Sequence, residues 1–415
     1  MATVIPFKGI RPARHLVHLV ASRSADNYSQ KDLNEKIAGN PFTFLHVIHP
    51  DMNDGKRTKP GSIERLKKTK AVYLDFHKQG IFVQDIQPCY YIYRQQKQGN
   101  VFTGLIGCSS IDDYLNGIIK IHEQTIHERE EKLMRYLEVC DFNAEPVLFS
   151  YPNDEEIDQL TTQITEREPE YDFSTTDRVR HTLWIVKQEA EVKKVYERFK
   201  TIKAVYIADG HHRSASSALL AKARKKNNPA HTGNEPYNFY MGVFFPESQL
   251  MICDYNRVVS DLNGLSEKEF IEKISRNFSV EEKGETIYQP QQKHNFSMYL
   301  GGKWYSLTAG KSAVHDEEPV ASLDAAILSE HILAPILGIY DLRVDKRIAF
   351  VSGIKGMDEL KKMVDKGQGK AAFGIYPVQM EQLKQIADTG NVMPPKTTWI
   401  EPKMRSGLVI YSLEA

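Results

Sequence analysis

The fold class of this chain is decided by one stretch of sequence, Val205-Tyr206-Ile207-Ala208-Asp209-Gly210-His211-His212-Arg213-Ser214-Ala215-Ser216-Ser217-Ala218. Its apolar first half predicts a buried β-strand, the glycine predicts a tight turn, and the small residues that follow predict a helix, which we place over Ser214–Lys226. The first turn of a helix has free N–H groups and the positive end of the macrodipole, so an anion is favoured there. We interpret this strand–turn–helix as an anion-binding element of an α/β protein.

The turn also carries a high density of polar side chains that suit phosphate chemistry. Arg213 is able to grip a phosphate or carboxylate with two parallel hydrogen bonds, and His211 and His212 add donors that titrate near neutral pH. Asp209 is a candidate proton acceptor, and Gly210 allows the backbone to approach a ligand closely. In the alternative interpretation Asp209 only caps the helix, but a cap gives the other polar residues of the turn no role.

Strands and helices alternate along the rest of the chain, which predicts a mixed α/β (α+β) fold. We expect the following elements before the turn: a strand over Thr43–Ile48, a helix over Ser62–Gln79, a hairpin over Cys89–Cys108 turning at Gly99-Asn100, and a long charged helix over Ile111–Cys140. The pattern of predicted strands and helices changes after Gly264, which places a domain boundary near residue 260. The predicted organisation is an N-terminal α/β domain over 1–260 and a C-terminal α+β domain or lid over 261–415.

Candidate site residues also lie on the predicted long helix. Lys120, Glu123 and His127 are spaced i,i+3 and i,i+4, so on a helix they would share one face. His122 would lie about 100° away from that face. A solvated helix surface explains the same pattern, because charged pairs at these spacings are common.

A third segment with candidate residues is Met393-Pro394-Pro395-Lys396-Thr397-Thr398-Trp399. Consecutive prolines restrict the backbone and would hold Lys396 in a defined place. Lys403 and Arg405 are expected on one face of a strand, where they would add positive potential. The alternative is an edge strand with proline punctuation.

Composition restricts the class of protein further. The 415 residues contain 54 Lys+Arg and 54 Asp+Glu, a formal net charge of +0, which argues against a nucleic-acid binder. The four cysteines form no C-x-x-C pair and no H-E-x-x-H motif is present, so we expect no metal site made by the chain alone. No secretory signal and no run of ~18 apolar residues is visible, so we expect a cytoplasmic protein without membrane contact.

Together these segments resemble the domain-of-unknown-function 1015 family over nearly the whole chain. The matching stretches are Phe7-Lys8-Gly9-Ile10-Arg11-Pro12, Asn40-Pro41-Phe42-Thr43-Phe44-Leu45-His46-Val47, His122-Glu123-Gln124-Thr125, Ala208-Asp209-Gly210-His211-His212-Arg213, and Met393-Pro394-Pro395-Lys396-Thr397-Thr398-Trp399 with Pro402-Lys403. Ala21–Tyr28 departs from the Pro-Pro-Tyr-Asp-Val run that many members carry there.

The Asp209–Arg213 turn also resembles the phosphate-binding turn of the ParB/sulfiredoxin fold, in the form found in ParB-like free serine kinases. This resemblance implies a ParB/sulfiredoxin-like core and a phosphoryl-transfer enzyme, a kinase or a phosphatase, acting on a small metabolite. Serine or phosphoserine is the best candidate substrate. Sulfiredoxin chemistry is not expected, because His211 stands where that reaction needs a cysteine.

On this hypothesis the candidate residues have two kinds of role. Catalytic roles are predicted for Asp209, Glu123, His211 and His212. Phosphate or ligand binding is predicted for Gly210, His212, Arg213, Ser214, Lys120, His122 and Lys396. Mg²⁺ and a nucleotide, ATP or ADP, are the implied cofactors, a small phosphorylated metabolite is the implied partner, and a homodimer is left open. The rival hypotheses are a non-catalytic ParB-like nucleotide-binding regulator and a scaffold with a vestigial turn.

Overall fold

The computed structural model describes residues 1–24, 27–315 and 317–414 and confirms the mixed α/β class. The strands, in chain order, are β1 (Val4–Ile5), β2 (Ile10–Pro12), β3 (Ser22–Arg23), β4 (Phe82–Gln84), β5 (Tyr90–Lys97), β6 (Asn100–Ser110), β7 (Ile119–Lys120), β8 (Phe142–Asn143), β9 (Val147–Tyr151), β10 (Tyr171–Ser174), β11 (Arg180–Val186), β12 (Val205–Asp209), β13 (Phe239–Pro246), β14 (Met251–Cys253), β15 (Tyr255–Val259), β16 (Phe278–Gly284), β17 (Asn295–Leu300), β18 (Lys303–Ala309), β19 (Ile348–Ser352), β20 (Ala371–Gly374), β21 (Trp399–Glu401), β22 (Arg405–Ser406) and β23 (Tyr411–Ser412).

The helices, in chain order, are α1 (Val17–Val20), α2 (Gln30–Ala38), α3 (Leu45–Ile48), α4 (Asp51–Asp54), α5 (Ile63–Lys78), α6 (Ile111–Leu115), α7 (His127–Cys140), α8 (Glu155–Thr165), α9 (Glu189–Phe199), α10 (His211–Asn227), α11 (Glu267–Ile274), α12 (Asp324–Leu328), α13 (Met357–Asp365) and α14 (Met380–Asp388). Within the ranges that the structure covers, every helix is too short or too polar to cross a lipid bilayer.

The chain divides into two compact units. The first unit contains Met1–Lys120, Thr125–Leu250 and Pro402–Ala415, and the second contains Ile121–Gln124 and Met251–Glu401. The sequence placed a boundary near residue 260, and the structure passes from the first unit to the second at Leu250 and Met251. The segment from Pro402 onward belongs to the first unit.

The first unit is built on a mixed sheet. In the described part of the chain this sheet has nine strands, ordered β10-β11-β5-β6-β13-β9-β12-β7, with β1 paired to β6. Strand β13 runs parallel to β9, β12 runs antiparallel to β9, and β7 runs parallel to β12. The end of β12 therefore lies at the same edge of the sheet as the beginnings of β9 and β13. Beneath this edge Phe149 and Phe244 stack with ring centroids 4.7 Å apart inside the apolar core.

The second unit has its own sheet and core. Its main sheet is ordered β16-β18-β17-β20-β15-β19, and β14 pairs separately with β21. The sequence over Phe296–Leu307 predicts a hairpin that turns at Gly301-Gly302, and this hairpin is confirmed as β17–β18. Phe270, Phe296 and Phe373 are fully buried in its apolar core.

Several local predictions are confirmed. Helix α5 spans the predicted segment, and the Ser62 hydroxyl accepts a hydrogen bond from the Arg65 N–H at its start. Strands β5 and β6 form the predicted hairpin.

The prediction of a strand over Thr43–Ile48 is wrong, because helix α3 covers Leu45–Ile48. The Thr43 hydroxyl accepts from the N–H of Leu45, the first residue of this helix. A short buried apolar run does not distinguish a strand from a helix.

The long helix predicted over Ile111–Cys140 is also wrong. Helix α6 is followed by Gly117 in a left-handed conformation (φ 72°), a conformation that commonly follows a helix end. Ile119 and Lys120 then pair with β12 as strand β7, and α7 begins only at His127. Lys120, Glu123 and His127 therefore do not share a helix face.

Candidate functional site

The glycine turn joins β12 directly to α10. Gly210 is the residue before the first helical residue and has φ 107°, a value that side chains rarely adopt. A Cβ atom at Gly210 would lie 2.9 Å from Nε and 3.0 Å from Nη2 of Arg213. Arg213 therefore folds back over the turn, and only glycine leaves room for it. The helix predicted from Ser214 begins three residues earlier, at His211.

Arg213 and Asp209 belong to a network of two cations and two carboxylates. Arg213 Nη2 lies 3.4 Å from Asp209 Oδ2, and Arg213 Nη1 lies 3.1 Å from Glu145 Oε1. Arg213 Nη1 also donates a hydrogen bond to the Pro146 carbonyl at 2.6 Å. On the other side, Lys403 Nζ lies 3.6 Å from the same Asp209 oxygen. The Asp209 carboxylate is thus held between an ammonium and a guanidinium at the start of α10.

This placement changes the proton affinity of Asp209. Burial by itself raises the pKa of the carboxyl, but the charges of Lys403, Arg213 and His211 act in the opposite direction and outweigh it. The pKa of Asp209 is consequently lower than its ordinary value. Asp209 is ionised at neutral pH and is able to accept hydrogen bonds or to bind a cation.

The other predicted residues of the turn differ in exposure. His211 and Ser214 are buried, and the Ser214 N–H donates to the Gly210 carbonyl at 3.1 Å. His212, like Gly210, is partly exposed. Lys120 belongs to the same unit, where its backbone pairs with Tyr206 of β12. The first unit therefore contains Lys120, Asp209, Gly210, His211, His212, Arg213 and Ser214.

His122, Glu123 and Lys396 belong to the second unit. Two of their segments are joined there, because the Met393 N–H donates to the His122 carbonyl at 2.8 Å. The His122 side chain is buried, whereas Glu123 is exposed.

Lys396 is held in a strained conformation in the second unit. It is exposed and has φ 58°, which costs a non-glycine residue about 1–3 kcal/mol. Its carbonyl accepts from Nη2 of the fully buried Arg257 at 3.1 Å. The sequence therefore predicted a defined place for Lys396 but gave no sign of the arginine that holds it.

The expected strand face shared by Lys403 and Arg405 is absent. Lys403 lies between β21 and β22, outside both strands, and Arg405 belongs to β22. Arg405 Nη2 donates to both Asp177 oxygens, at 2.8 and 2.9 Å, and to the Thr175 hydroxyl at 3.2 Å. Only Lys403 of this pair contacts the Asp209 network.

Sequence reasoning missed Glu145 as the second carboxylate on Arg213. The signal that was present is weak: a charged residue and a proline directly before the buried strand β9. No group of three or more His, Cys, Asp or Glu residues able to hold a metal ion exists within the described ranges.

Comparison with known proteins places the chain in a family. A family model described as "Protein of unknown function (DUF1015)" matches residues 4–326. The chain belongs to this family. No curated protein is significantly similar to this DUF1015 chain.

Solved structures similar to this DUF1015 protein include a free serine kinase variant in complex with AMP, with 14% identity and a TM-score of 0.36 over 72% of this chain and 87% of that one. A conserved hypothetical protein from Pyrococcus furiosus has 14% identity and a TM-score of 0.34, over 74% of this chain and 94% of that one. SbnI from Staphylococcus aureus, truncated at its C-terminus, has 13% identity and a TM-score of 0.36, over 71% of this chain and 82% of that one.

Proposed function

We propose that this protein is a phosphoryl-transfer enzyme that acts on a small hydroxyl-bearing metabolite, with serine or phosphoserine as the best candidate. The observation that carries the proposal is the Asp209 carboxylate, held between Arg213 and Lys403 at the N-terminal end of α10. Phosphoryl transfer depends mainly on positioning and on positive charge around the transferred group. A guanidinium, an ammonium and a helix N-terminus converge at this turn. The likeness of the turn's sequence to that of free serine kinases favours serine.

The charge balance of the site suits a phosphate that arrives with a metal ion. Arg213 and Lys403 are balanced by Asp209 and Glu145, so an added phosphate dianion would leave the site negative. Mg²⁺ commonly binds one or two carboxylates together with substrate phosphates, and Asp209 fits that role because it is ionised. When bound, Mg²⁺ would neutralise charge that develops on the transferred group.

In the kinase direction, the substrate hydroxyl oxygen forms a bond to phosphorus while the bond from that phosphorus to the bridging oxygen of the nucleotide breaks. The departing nucleotide keeps the electron pair, and Asp209, when it does not hold Mg²⁺, takes the hydroxyl proton. A phosphate bound by Arg213 and Lys403 would offset their charge, which raises the pKa of Asp209 and makes it a better base at that moment. In the phosphatase direction, a water oxygen forms a bond to the phosphorus of the phosphorylated metabolite while the bond from that phosphorus to the metabolite oxygen breaks. The departing oxygen keeps the electron pair and takes up a proton. His212 and Arg213 would stabilise the charge on the transferred group.

The remaining predicted roles belong to the same proposal. Within the first unit we assign ligand contacts to Lys120 and Ser214. The ligand contacts of His122 and Lys396 and the proton transfer by Glu123 stay predictions from the sequence. His211 tunes Asp209 through its charge. Each assignment is tested by the same assay on the corresponding alanine variant.

A second candidate function is a nucleotide-binding regulator without catalysis. The low pKa of Asp209 favours this alternative, because a carboxylate held by two cations is a weak proton acceptor. A regulator would bind nucleotide at the turn and transfer no phosphoryl group.

The deciding experiment follows phosphorus by ³¹P NMR in two reactions, serine with ATP or ADP, and phosphoserine with water. We expect turnover in one of them, with a loss of about 10²-fold or more in Arg213→Ala, the scale for removing a charge-stabilising donor. Arg180→Ala is the matched control, because Arg180 is an exposed arginine that also contacts an aspartate, Asp172, at 2.6 Å. Unchanged turnover in Arg213→Ala contradicts the proposal, and nucleotide binding without turnover in either reaction favours the regulator.

A further inference from the structure

A cavity of about 310 Å³ lies in the first unit beside the anion-binding turn. It is lined by the flank of α10 that carries Arg213, Ser216 and Ser217, by α5 and α7, and by the beginnings of β9 and β13. The beginnings of those two strands are at the same sheet edge as the end of β12. The volume is at the lower end of the ~300–1,000 Å³ range typical of small-molecule sites.

The walls of this cavity are mostly apolar and partly aromatic. The apolar lining includes Phe44, Leu66, Tyr136, Leu137, Val147 and Met241. The apolar part of these walls offers no hydrogen-bond partner to replace the hydration of a charged ligand body. A flat, uncharged ring would instead gain contact with aromatic side chains.

A few polar groups also face the cavity. The Ser406 hydroxyl belongs to a residue that is 2% exposed, and it has no hydrogen-bond partner in the described part of the chain. A buried hydroxyl without a partner costs about 1–3 kcal/mol, so a ligand group that bonds to it would recover that cost. Ser216 and Ser217 donate to the Arg213 carbonyl at 3.0 and 2.8 Å, which leaves their oxygen lone pairs to accept from a ligand.

Arg213 connects the cavity with the turn. Its guanidinium lies against Gly210 and Asp209, and the same side chain forms part of the cavity wall. Glu145, the second carboxylate on Arg213, is 31% exposed in its side chain and also lines the cavity, so this end is open to solvent. A molecule in the cavity that carries an anionic group would therefore place that group at Arg213.

We propose that the cavity binds the nucleoside part of a nucleoside phosphate whose phosphate lies at the Gly210 turn. The inference rests on the phosphoryl-transfer function proposed above and assigns a place in the fold to the nucleoside part of the phosphate donor. A nucleobase is flat and uncharged, its edge carries donors and acceptors for the serine hydroxyls, and it stacks on aromatic side chains. Its sugar joins it to the phosphate that Arg213 attracts.

The test measures binding of four probes by isothermal titration calorimetry: AMP, adenosine, ribose 5-phosphate and inorganic phosphate. Ala144→Leu fills the cavity from its wall. We expect this variant to bind AMP and adenosine at least tenfold more weakly and to keep its affinity for ribose 5-phosphate and inorganic phosphate. Ala190→Leu, on the exposed surface of α9, is the matched control and should change no affinity.

A smaller change keeps the test independent of folding. Ser406→Ala removes only the hydroxyl. The loss of one neutral hydrogen bond should lower the affinity for AMP about three- to tenfold. AMP affinity that is unaltered in both Ala144→Leu and Ser406→Ala overturns the inference, as does a wild-type protein that binds ribose 5-phosphate as tightly as AMP. Binding of a phosphate-free apolar compound in preference to adenosine overturns it too.

Failure of this inference is distinguishable from failure of the proposed function. One outcome overturns the nucleoside site but leaves the proposed enzyme. In that outcome the protein transfers a phosphoryl group from a donor without a nucleobase, such as phosphoserine, and the cavity variants do not change the affinity for AMP. The opposite outcome supports the nucleoside site and favours the regulator. In that outcome Ala144→Leu weakens the binding of adenosine and AMP, and the protein shows no turnover.

Discussion

Replacing Gly210 with alanine tests whether the glycine is needed for its backbone conformation alone or also to seat Arg213. At φ 107° alanine is strained, and the left-handed conformation costs an ordinary residue about 1–2 kcal/mol. The new methyl group would also lie 2.9–3.1 Å from the guanidinium atoms of Arg213. Arg213 would have to move and give up its bonds to the Pro146 carbonyl and Glu145.

The size of the second effect follows from those bonds. Hydrogen bonds of a charged group contribute about 1.5–3 kcal/mol each, and the lower end applies because the Arg213 side chain is 23% exposed. The two lost bonds contribute about 3 kcal/mol and the backbone conformation about 1–2 kcal/mol, so we expect Gly210→Ala to lower the free energy of unfolding by about 4–5 kcal/mol. Phosphate affinity should fall at least tenfold, because the displaced guanidinium no longer faces the turn.

Gly233 supplies the matched control. It has φ 93° and a Cβ built on it meets nothing within 4 Å, so Gly233→Ala carries only the backbone cost. Urea unfolding of both variants and titration calorimetry with inorganic phosphate measure the two effects. Equal losses of stability in the two variants, with phosphate affinity retained in Gly210→Ala, would refute the argument that Arg213 requires this glycine.

Two further predictions concern charges in the first unit. Lys403→Met should raise the pKa of Asp209, because the charge of Lys403 helps to lower that pKa. A ¹³C NMR titration of the Asp209 carboxyl measures the change. The control is Lys303→Met, which removes a lysine from an exposed ion pair with Glu282 and should leave the pKa of Asp209 unchanged. His181 is fully buried, and burial, followed by the charge of Arg405, lowers its pKa to about 3. Between pH 6.5 and 3 the unfolded chain therefore binds more protons at His181 than the folded one, so stability is present above pH 6.5 and is lost as the pH falls, by about 2 kcal/mol at pH 5. Urea unfolding at pH 7 and pH 5 should show a smaller loss in His181→Gln than in the wild type, and equal losses would contradict the assignment.

Much of the fold could be predicted because its signals are local. The run Val205–Ala208, the glycine after Asp209 and the small residues of α10 specify a strand, a turn and a helix within a few residues of one another. Gly99-Asn100 and Gly301-Gly302 likewise mark tight hairpins between apolar strands. Such features are correctly predicted because no distant segment has to be known.

The errors and omissions depend on distant partners. The charged spacing of Lys120 and Glu123 is compatible with a helix, but pairing of Ile119 and Lys120 with β12 takes that segment into the sheet. Glu145 and Lys403 complete the surroundings of Asp209 and Arg213 from separate parts of the chain. No local pattern reports such a meeting, so the sequence predicted the turn but not the carboxylate and the ammonium that set its charge.

The segment that follows the second unit has a consequence for how this protein is made. Strands β22 and β23 pair with β3 and β8, and Ile410 bridges Ile10, so residues far apart in the chain are joined in the first unit. During synthesis the ribosome must release the whole second unit before this segment can dock, and Lys403 reaches Asp209 only then. Contacts this remote in sequence slow folding, because a long loop must close before they form. Until this segment docks, Asp209 lacks the ammonium of Lys403, so phosphate binding should be the last property to mature.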